Sequence, residues 1–237
     1  MKKRNAFTLA EVLITLGIIG IVAAMTLPTL VQQNQKKVAA TRLKQAYSQI
    51  YQAINMAQAD YGDMKNWDVN DNYKSSVDPD VSNMDITTVF AEKYLKPYLK
   101  YTRTPGSYVL KDLGYSEYKS KAGQSYWSKQ AKLYVIELTN GVTLFIGYNG
   151  NSEIYTLPII FVDINGKTKP NVLGRDFFMF ELDSINTMKI KPVGYGYDRD
   201  DLIERCAPNP ASSAGNNLLC TALIFNDGWE IKNDYPW

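Results

Sequence analysis

The 237-residue chain contains no histidine. The commonest general base and the commonest first-row metal ligand are therefore missing, which excludes histidine-based hydrolytic triads and histidine-ligated zinc. Cysteine occurs only twice, at Cys206 and Cys220. Two thiols cannot build a four-thiolate metal site, and their spacing is too wide for a Cys-x-x-Cys redox motif. One disulfide is the expected state, which implies an oxidising, extracytoplasmic compartment. The sequence also lacks a glycine-rich phosphate loop, a nucleophile with an adjacent base, and a recognisable acid/base carboxylate pair. Catalysis has no support in it, and a non-enzymatic role is expected. Net positive charge is confined to the N-terminus. The net charge is +2, but Lys2, Lys3 and Arg4 supply three of the 26 basic residues, and removing residues 1–6 leaves 23 basic against 24 acidic, or −1. A body so close to neutral offers no broad basic surface, so no nucleic-acid partner is expected.

What the chain does have is concentrated at its start. Residues 1–31 read as a short basic head, then Phe7, then an apolar stretch interrupted by one carboxylate, Glu11. From Val12 to Val31 twenty residues carry no charge. A helix of that length spans roughly 30 Å, enough to cross the hydrocarbon core of a bilayer. The basic head would hold the N-terminus on the cytoplasmic side. A secretory signal peptide cut after Val22-Ala23-Ala24 is one reading of this stretch, but the apolar run continues through Leu27, Leu30 and Val31. A plain membrane anchor is another, and it leaves Glu11 unexplained, because an unpartnered carboxylate in lipid costs a few kcal/mol, roughly.

A third reading gives Glu11 a role. The segment resembles the N-terminus of the type IV pilin and type II secretion pseudopilin superfamily. In that family a prepilin peptidase cuts just before a phenylalanine and methylates the new amine. The resemblance places the cut between Ala6 and Phe7, with alanine standing where the family usually has glycine. It makes Phe7 the first residue of the mature chain, Glu11 its fifth, and Pro28 its twenty-second, the position of the family's helix-kinking proline. The resemblance implies a filament in which the Phe7 amine pairs with Glu11 of a neighbouring subunit, each desolvated charge needing the other. Phe7, Glu11 and Pro28 are thus the expected assembly residues. Pro28 lacks an amide hydrogen and is expected to bend or locally melt the helix. Gly17 and Gly20 would allow close approach of neighbouring helices.

Beyond Pro28 the helix is expected to pass through a polar joint, Gln32 to Lys37, into an amphipathic stripe of Val38, Leu43, Ala46, Tyr47, Ile50, Ile54, Ala57 and Tyr61, stopping at Gly62. Residues 63–130 are rich in tyrosine, asparagine and serine, with a second helix predicted from Thr87 to about Tyr101 and only weak strand signals around Leu110 and Leu113. From Lys132 the period becomes two. Leu133–Thr139 and Val142–Tyr148 flank Asn140-Gly141, which predicts a hairpin with a type I′ turn. Further strands are predicted at Leu157–Asp163, Phe177–Leu182 and Met188–Val193. The order predicts an α+β, pilin-like fold in which a long N-terminal helix, transmembrane in its first half, packs its amphipathic second half on an antiparallel sheet. The expected divisions are a basic leader at 1–6, a transmembrane and assembly helix at 7–31, its amphipathic continuation at 32–62, and a globular domain at 63–237.

Two C-terminal segments extend the resemblance. The stretch from Phe161 to Phe178 looks like the turn between sheet strands of type II secretion pseudopilins, whose major members bind calcium close to this region. Asp163, Asn165, Asn171 and Asp176 would be the hard oxygen ligands of a Ca2+ ion, which needs six to eight. The plainer reading is that Asn165-Gly166 and Pro170-Asn171 are turns whose side chains bond the backbone; no cofactor is required. Cys206 and Cys220 enclose thirteen residues with two prolines. Pilins often carry a C-terminal disulfide loop of this kind, although a structural staple explains it equally well. The aromatic tail through Trp237 is expected to pack back on the sheet. The resemblance implies a subunit of a type IV pilus or of a type II secretion or competence pseudopilus. Its partners would be other pilin-like subunits, prepilin peptidase, a membrane platform with its assembly ATPase, and membrane lipid. Its location would be a single-pass membrane protein with an extracytoplasmic C-terminal domain, then a periplasmic or surface filament. The alternative from another class is a secreted or membrane-anchored glycan- or partner-binding domain that uses the tyrosine-rich middle.

Overall fold

A computed structural model of the chain describes residues 8–67, 83–148, 158–183, 190–208 and 217–237. It forms two compact units, residues 1–38 and residues 39–237. The first helix, α1 (Leu9–Tyr61), begins in the first unit and ends in the second.

In the first unit the apolar side chains of α1 stand exposed, Leu13, Ile18 and Ile21 each about 60% so. Among the described residues, this is the one helix long and apolar enough to cross a membrane. Local melting at Pro28 does not occur, because helical structure runs unbroken through it. The ring removes one amide from the ladder. Around it the Thr26 hydroxyl donates to the Val22 carbonyl at 2.9 Å and the Thr29 hydroxyl to the Thr26 carbonyl at 2.8 Å.

In the second unit α1 is amphipathic. Leu43, Ala46, Ile50, Ala53, Ile54 and Ala57 are fully buried, whereas the predicted stripe ends Val38 and Tyr61 are exposed. Half of this buried row is alanine, so the helix can lie close to the sheet beneath it. Each fully buried Leu or Ile contributes about 1.5–3 kcal/mol. Gly62, with φ of +80°, ends the helix as predicted.

The sheet has six antiparallel strands: β1 (Gly106–Val109), β4 (Lys132–Glu137), β5 (Thr143–Tyr148), β6 (Pro158–Asp163), β7 (Phe177–Leu182) and β8 (Ile190–Pro192), lying in the order β1-β4-β5-β6-β7-β8. A small ribbon pairs β2 (Tyr118–Lys119) with β3 (Ser125–Trp127). Period-two alternation sorts the sheet residues onto two faces. Tyr134, Ile136, Ile160, Val162, Phe178 and Phe180 join the α1 stripe in one core. Val135, Phe145, Ile159, Phe161, Phe177 and Met179 join Leu110, Leu113, Tyr118 and Leu173 in a second. Both faces are covered, which is why every residue of β6 is buried and its sequence is almost continuously apolar.

Several local expectations change. The predicted helix from Thr87 is α2 (Asn83–Val89), which widens into a π-helical turn at Phe90–Leu95 and closes with a tighter 3-10 turn at Lys96–Tyr98. Leu110–Leu113 is a 3-10 turn rather than strand. The hairpin turn is not type I′, because Gly141 takes a positive φ (+83°) and Asn140 does not. Instead the Gly141 amide donates to the Leu138 carbonyl and the Leu138 amide to the Val142 carbonyl, a three-residue loop with glycine in the left-handed position. The Asn140 side chain accepts from the Val142 amide at 3.1 Å, an Asx turn that holds the loop without a positive φ at Asn140. Two C-terminal helices, α3 (Arg199–Cys206) and α4 (Cys220–Asn226), flank the cysteine loop. The tail packs back as predicted: Trp229, Ile231 and Trp237 lie against the core and Tyr235 is buried within it.

Candidate assembly helix and acidic turn

The predicted processing residues Ala6 and Phe7 lie outside the described residues. Glu11 lies within them, exposed in the first turn of α1. Its carboxylate accepts from both the amide and the hydroxyl of Thr8, each at 2.8 Å, and the Glu11 amide donates back to the Thr8 hydroxyl at 3.3 Å. This is a capping box, a Thr-x-x-Glu pattern that satisfies two of the orphan donors at a helix start. The sequence carries that signal at Thr8-Leu9-Ala10-Glu11, and reading Glu11 only as an ion-pair partner missed it. Among the described residues the carboxylate is thus held by neutral donors, with no cation beside it.

The four predicted calcium residues come together between β6 and β7. Asp163, at the end of β6, is fully buried. It accepts from the Tyr118 hydroxyl at 2.6 Å and the Asn165 amide at 3.0 Å. Asp176 accepts from the Val172 amide at 2.6 Å, the Asn171 amide at 2.8 Å and the Asn165 side-chain amide at 3.1 Å. Burial pushes the Asp163 carboxyl up to about 8, with the negative charge of Asp176 adding to the effect; burial also raises Asp176. Asn171 takes a left-handed φ of +57° after a cis Lys169–Pro170 peptide, and its side chain donates to the Ser116 hydroxyl at 2.7 Å. Two buried amide oxygens in this turn, Asn165 Oδ1 and Asn171 Oδ1, lack a hydrogen-bond partner.

A fit to a cation can be judged from these donors. The set is all oxygen, which suits calcium over the softer transition metals. It contains two carboxylates, and among the described residues no group of three or more metal-ligating acids or thiols occurs. The two orphaned amide oxygens are the feature that a cation would satisfy. Every carboxylate oxygen already accepts one hydrogen bond, so a cation would have to share them with the backbone. Tyr118, from the β2–β3 ribbon, was not identifiable beforehand because its strand is two residues long.

Cys206 and Cys220 form the predicted disulfide, with Cα atoms 4.8 Å apart and both residues buried. Asn217, buried with φ of +68°, braces it: its side chain accepts from the Lys121 amide at 2.7 Å and donates to the Cys206 carbonyl at 3.1 Å. Lys121 donates to the Pro236 carbonyl and lies 4.4 Å from the Tyr235 ring centroid, while the Tyr235 hydroxyl donates to the Gly174 carbonyl. A Cβ added at Gly174 would lie 2.3 Å from the Cys220 sulfur, so the acidic turn, the disulfide and the tail meet at one point.

Residues 1–27 match the prokaryotic N-terminal methylation motif. The match marks a type IV pilin or pseudopilin-type prepilin cleavage segment, which supports a pilin-like precursor. The motif implies processing by prepilin peptidase and assembly into pilin-type filaments, and with the apolar helix it fits a membrane-anchored, single-pass protein. No curated protein and no solved structure matches the chain. Residues 29–237 match a family of unknown function designated DUF6613, and the chain, covered over most of its length, belongs to that family.

Proposed function

We propose that the protein is a structural, non-enzymatic subunit of a type IV pilus or of a secretion or competence pseudopilus. In this reading it is cut between Ala6 and Phe7, N-methylated at Phe7, and assembled by lateral packing of α1. The observation that carries the proposal is the exposed apolar face of α1 with a single carboxylate, Glu11, at its lipid-side start. A neighbouring subunit would bring its Phe7 amine to Glu11, displacing neutral donors with a full charge. Such a pair sets axial register more than it adds net stability, because desolvation offsets most of the attraction. A membrane platform protein and an assembly ATPase would drive the insertion of subunits.

Glu11→Ala tests this. The variant is expected to be made, inserted and processed at normal levels, with filament yield in the native host reduced at least about tenfold, the factor that roughly 1.4 kcal/mol produces. Glu11→Asp should restore part of the yield, because it keeps the charge. Normal yield in Glu11→Ala would contradict the pairing.

We further propose that calcium occupies the acidic turn, held by Asp163, Asn165, Asn171 and Asp176. The support is the pair of unpartnered amide oxygens beside two buried acids. The ion would supply charge neutralisation and no chemistry. Millimolar calcium is expected to raise the melting temperature of the full chain over that in chelator, with Asp176→Asn abolishing the rise. Identical melting in both conditions would leave the acids to hydrogen bonds alone.

A further inference from the structure

The π-helical turn at Phe90–Leu95 and the segment after it border an open cleft of about 610 Å3, lined by Glu92, Lys96, Pro97, Leu99, Lys100 and Tyr101. Wide helical turns of this type are uncommon and concentrate at functional sites. The cleft lies on the second unit, far along the chain from the assembly helix and outside the acidic turn.

Its walls are fixed before any ligand arrives. Glu92 accepts from the buried Tyr134 hydroxyl of β4 at 2.6 Å and from the Lys96 ammonium at 2.5 Å. The opposite wall is tied to the end of the β4–β5 hairpin: the Thr139 amide donates to the Lys100 carbonyl, the Thr102 amide to the Glu137 carbonyl, and Tyr101 bridges Leu138. Leu99 is buried, whereas Tyr101 is 39% exposed. Lys100 is exposed and has no carboxylate partner among the described residues. The lining carries Lys96 and Lys100 against Glu92, a charge of +1; Lys96 is paired with Glu92, and beside the cleft Arg103 is paired with Glu137 at 3.2 Å, which leaves Lys100 as the ammonium facing a ligand.

We propose that this cleft binds a polysaccharide bearing uronic acids. The Lys100 ammonium favours a ligand that brings one negative charge. Exposed Tyr101 and Pro97 give the cleft an aromatic and apolar surface, which suits the C–H face of a pyranose. Glu92 decides between anions. Its carboxylate repels a phosphate that brings no donors, and it accepts hydrogen bonds from a ligand with hydroxyl groups. A sugar acid carries all three features at once: an apolar face, hydroxyl donors and one carboxylate for Lys100. A neutral sugar would leave Lys100 without its partner.

The test is calorimetric titration of the full chain in detergent micelles with a galacturonic acid tetramer, a neutral glucose tetramer and inorganic phosphate. The acidic tetramer is expected to bind saturably, and the neutral tetramer at least about tenfold more weakly, consistent with loss of one charged hydrogen bond. Lys100→Ala and Tyr101→Ala, both at exposed positions, should each weaken the acidic tetramer about tenfold or more without changing the melting temperature. Absence of saturable binding, or unchanged affinity in both variants, overturns the proposal. Phosphate that binds as tightly as the tetramer overturns it too, since the cleft would then read charge alone.

Discussion

Glu11 and Asp163 are both carboxylates held by neutral donors, and their surroundings give them opposite behaviour. Glu11 is exposed on a helix start, where Thr8 completes a capping box around it. Those hydrogen bonds can be exchanged for a stronger partner at little cost, which is what a register-setting contact between subunits requires. Asp163 is enclosed, accepting from the Tyr118 hydroxyl and the Asn165 amide away from solvent. Its folded-state value of about 8 lies above the ordinary 3.8, because burial penalises the charge. The native chain therefore keeps the proton over a pH range in which the unfolded chain has released it. Stability is fully present below about pH 4, falls as pH rises to about 8, and levels beyond. In chelator, denaturant unfolding of the full chain is expected to show this decline, by up to about 6 kcal/mol. Asp163→Asn should flatten the curve, and an undiminished slope in the variant would assign the titration elsewhere.

Two turns show how one residue type serves different constraints at the scale of elements. Gly141 and Gly174 both take left-handed backbone angles, φ of +83° and +72°. A methyl group at Gly141 meets nothing within 4 Å, while at Gly174 it would strike the Cys220 sulfur and Cβ. Gly141→Ala is expected to cost about 1 kcal/mol from backbone strain alone. Gly174→Ala should cost more than about 3 kcal/mol and slow disulfide formation, because strain and a buried clash add. Thermal melts and thiol titration of the two variants check the order, and equal costs would contradict it.

The same elements show what the sequence could reveal. The Asn140-Gly141 hairpin was legible from alternation and turn composition, since its strands have one regular period. Its turn type was not, because Asn140 stabilises the loop through its side chain, a choice that composition does not encode. β7 was legible to the residue, being flanked by turn residues. β1, β2 and β3 were not, because four or fewer residues give no measurable period. The π-helical turn was hidden for a similar reason: a widening of one turn barely shifts the spacing of Phe90, Tyr94 and Leu95. In the candidate site, Asp163 and Asp176 were identifiable from their turn, whereas the Tyr118 hydroxyl that caps Asp163 reaches it across 45 positions of chain.

At the scale of the whole molecule, the two units carry separate demands. The described residues of the first unit present exposed apolar side chains along a helix, and the second unit buries both faces of a six-stranded sheet. An exposed apolar surface of this length is unstable in water, so it must end in lipid or against other helices. Both destinations follow from a mature chain that retains the helix. The most direct measurement is mass spectrometry of the mature N-terminus, on protein recovered from its native host. The account predicts a chain that begins at Phe7 with a methylated amine and still contains Glu11; a chain that begins near Met25 would contradict it.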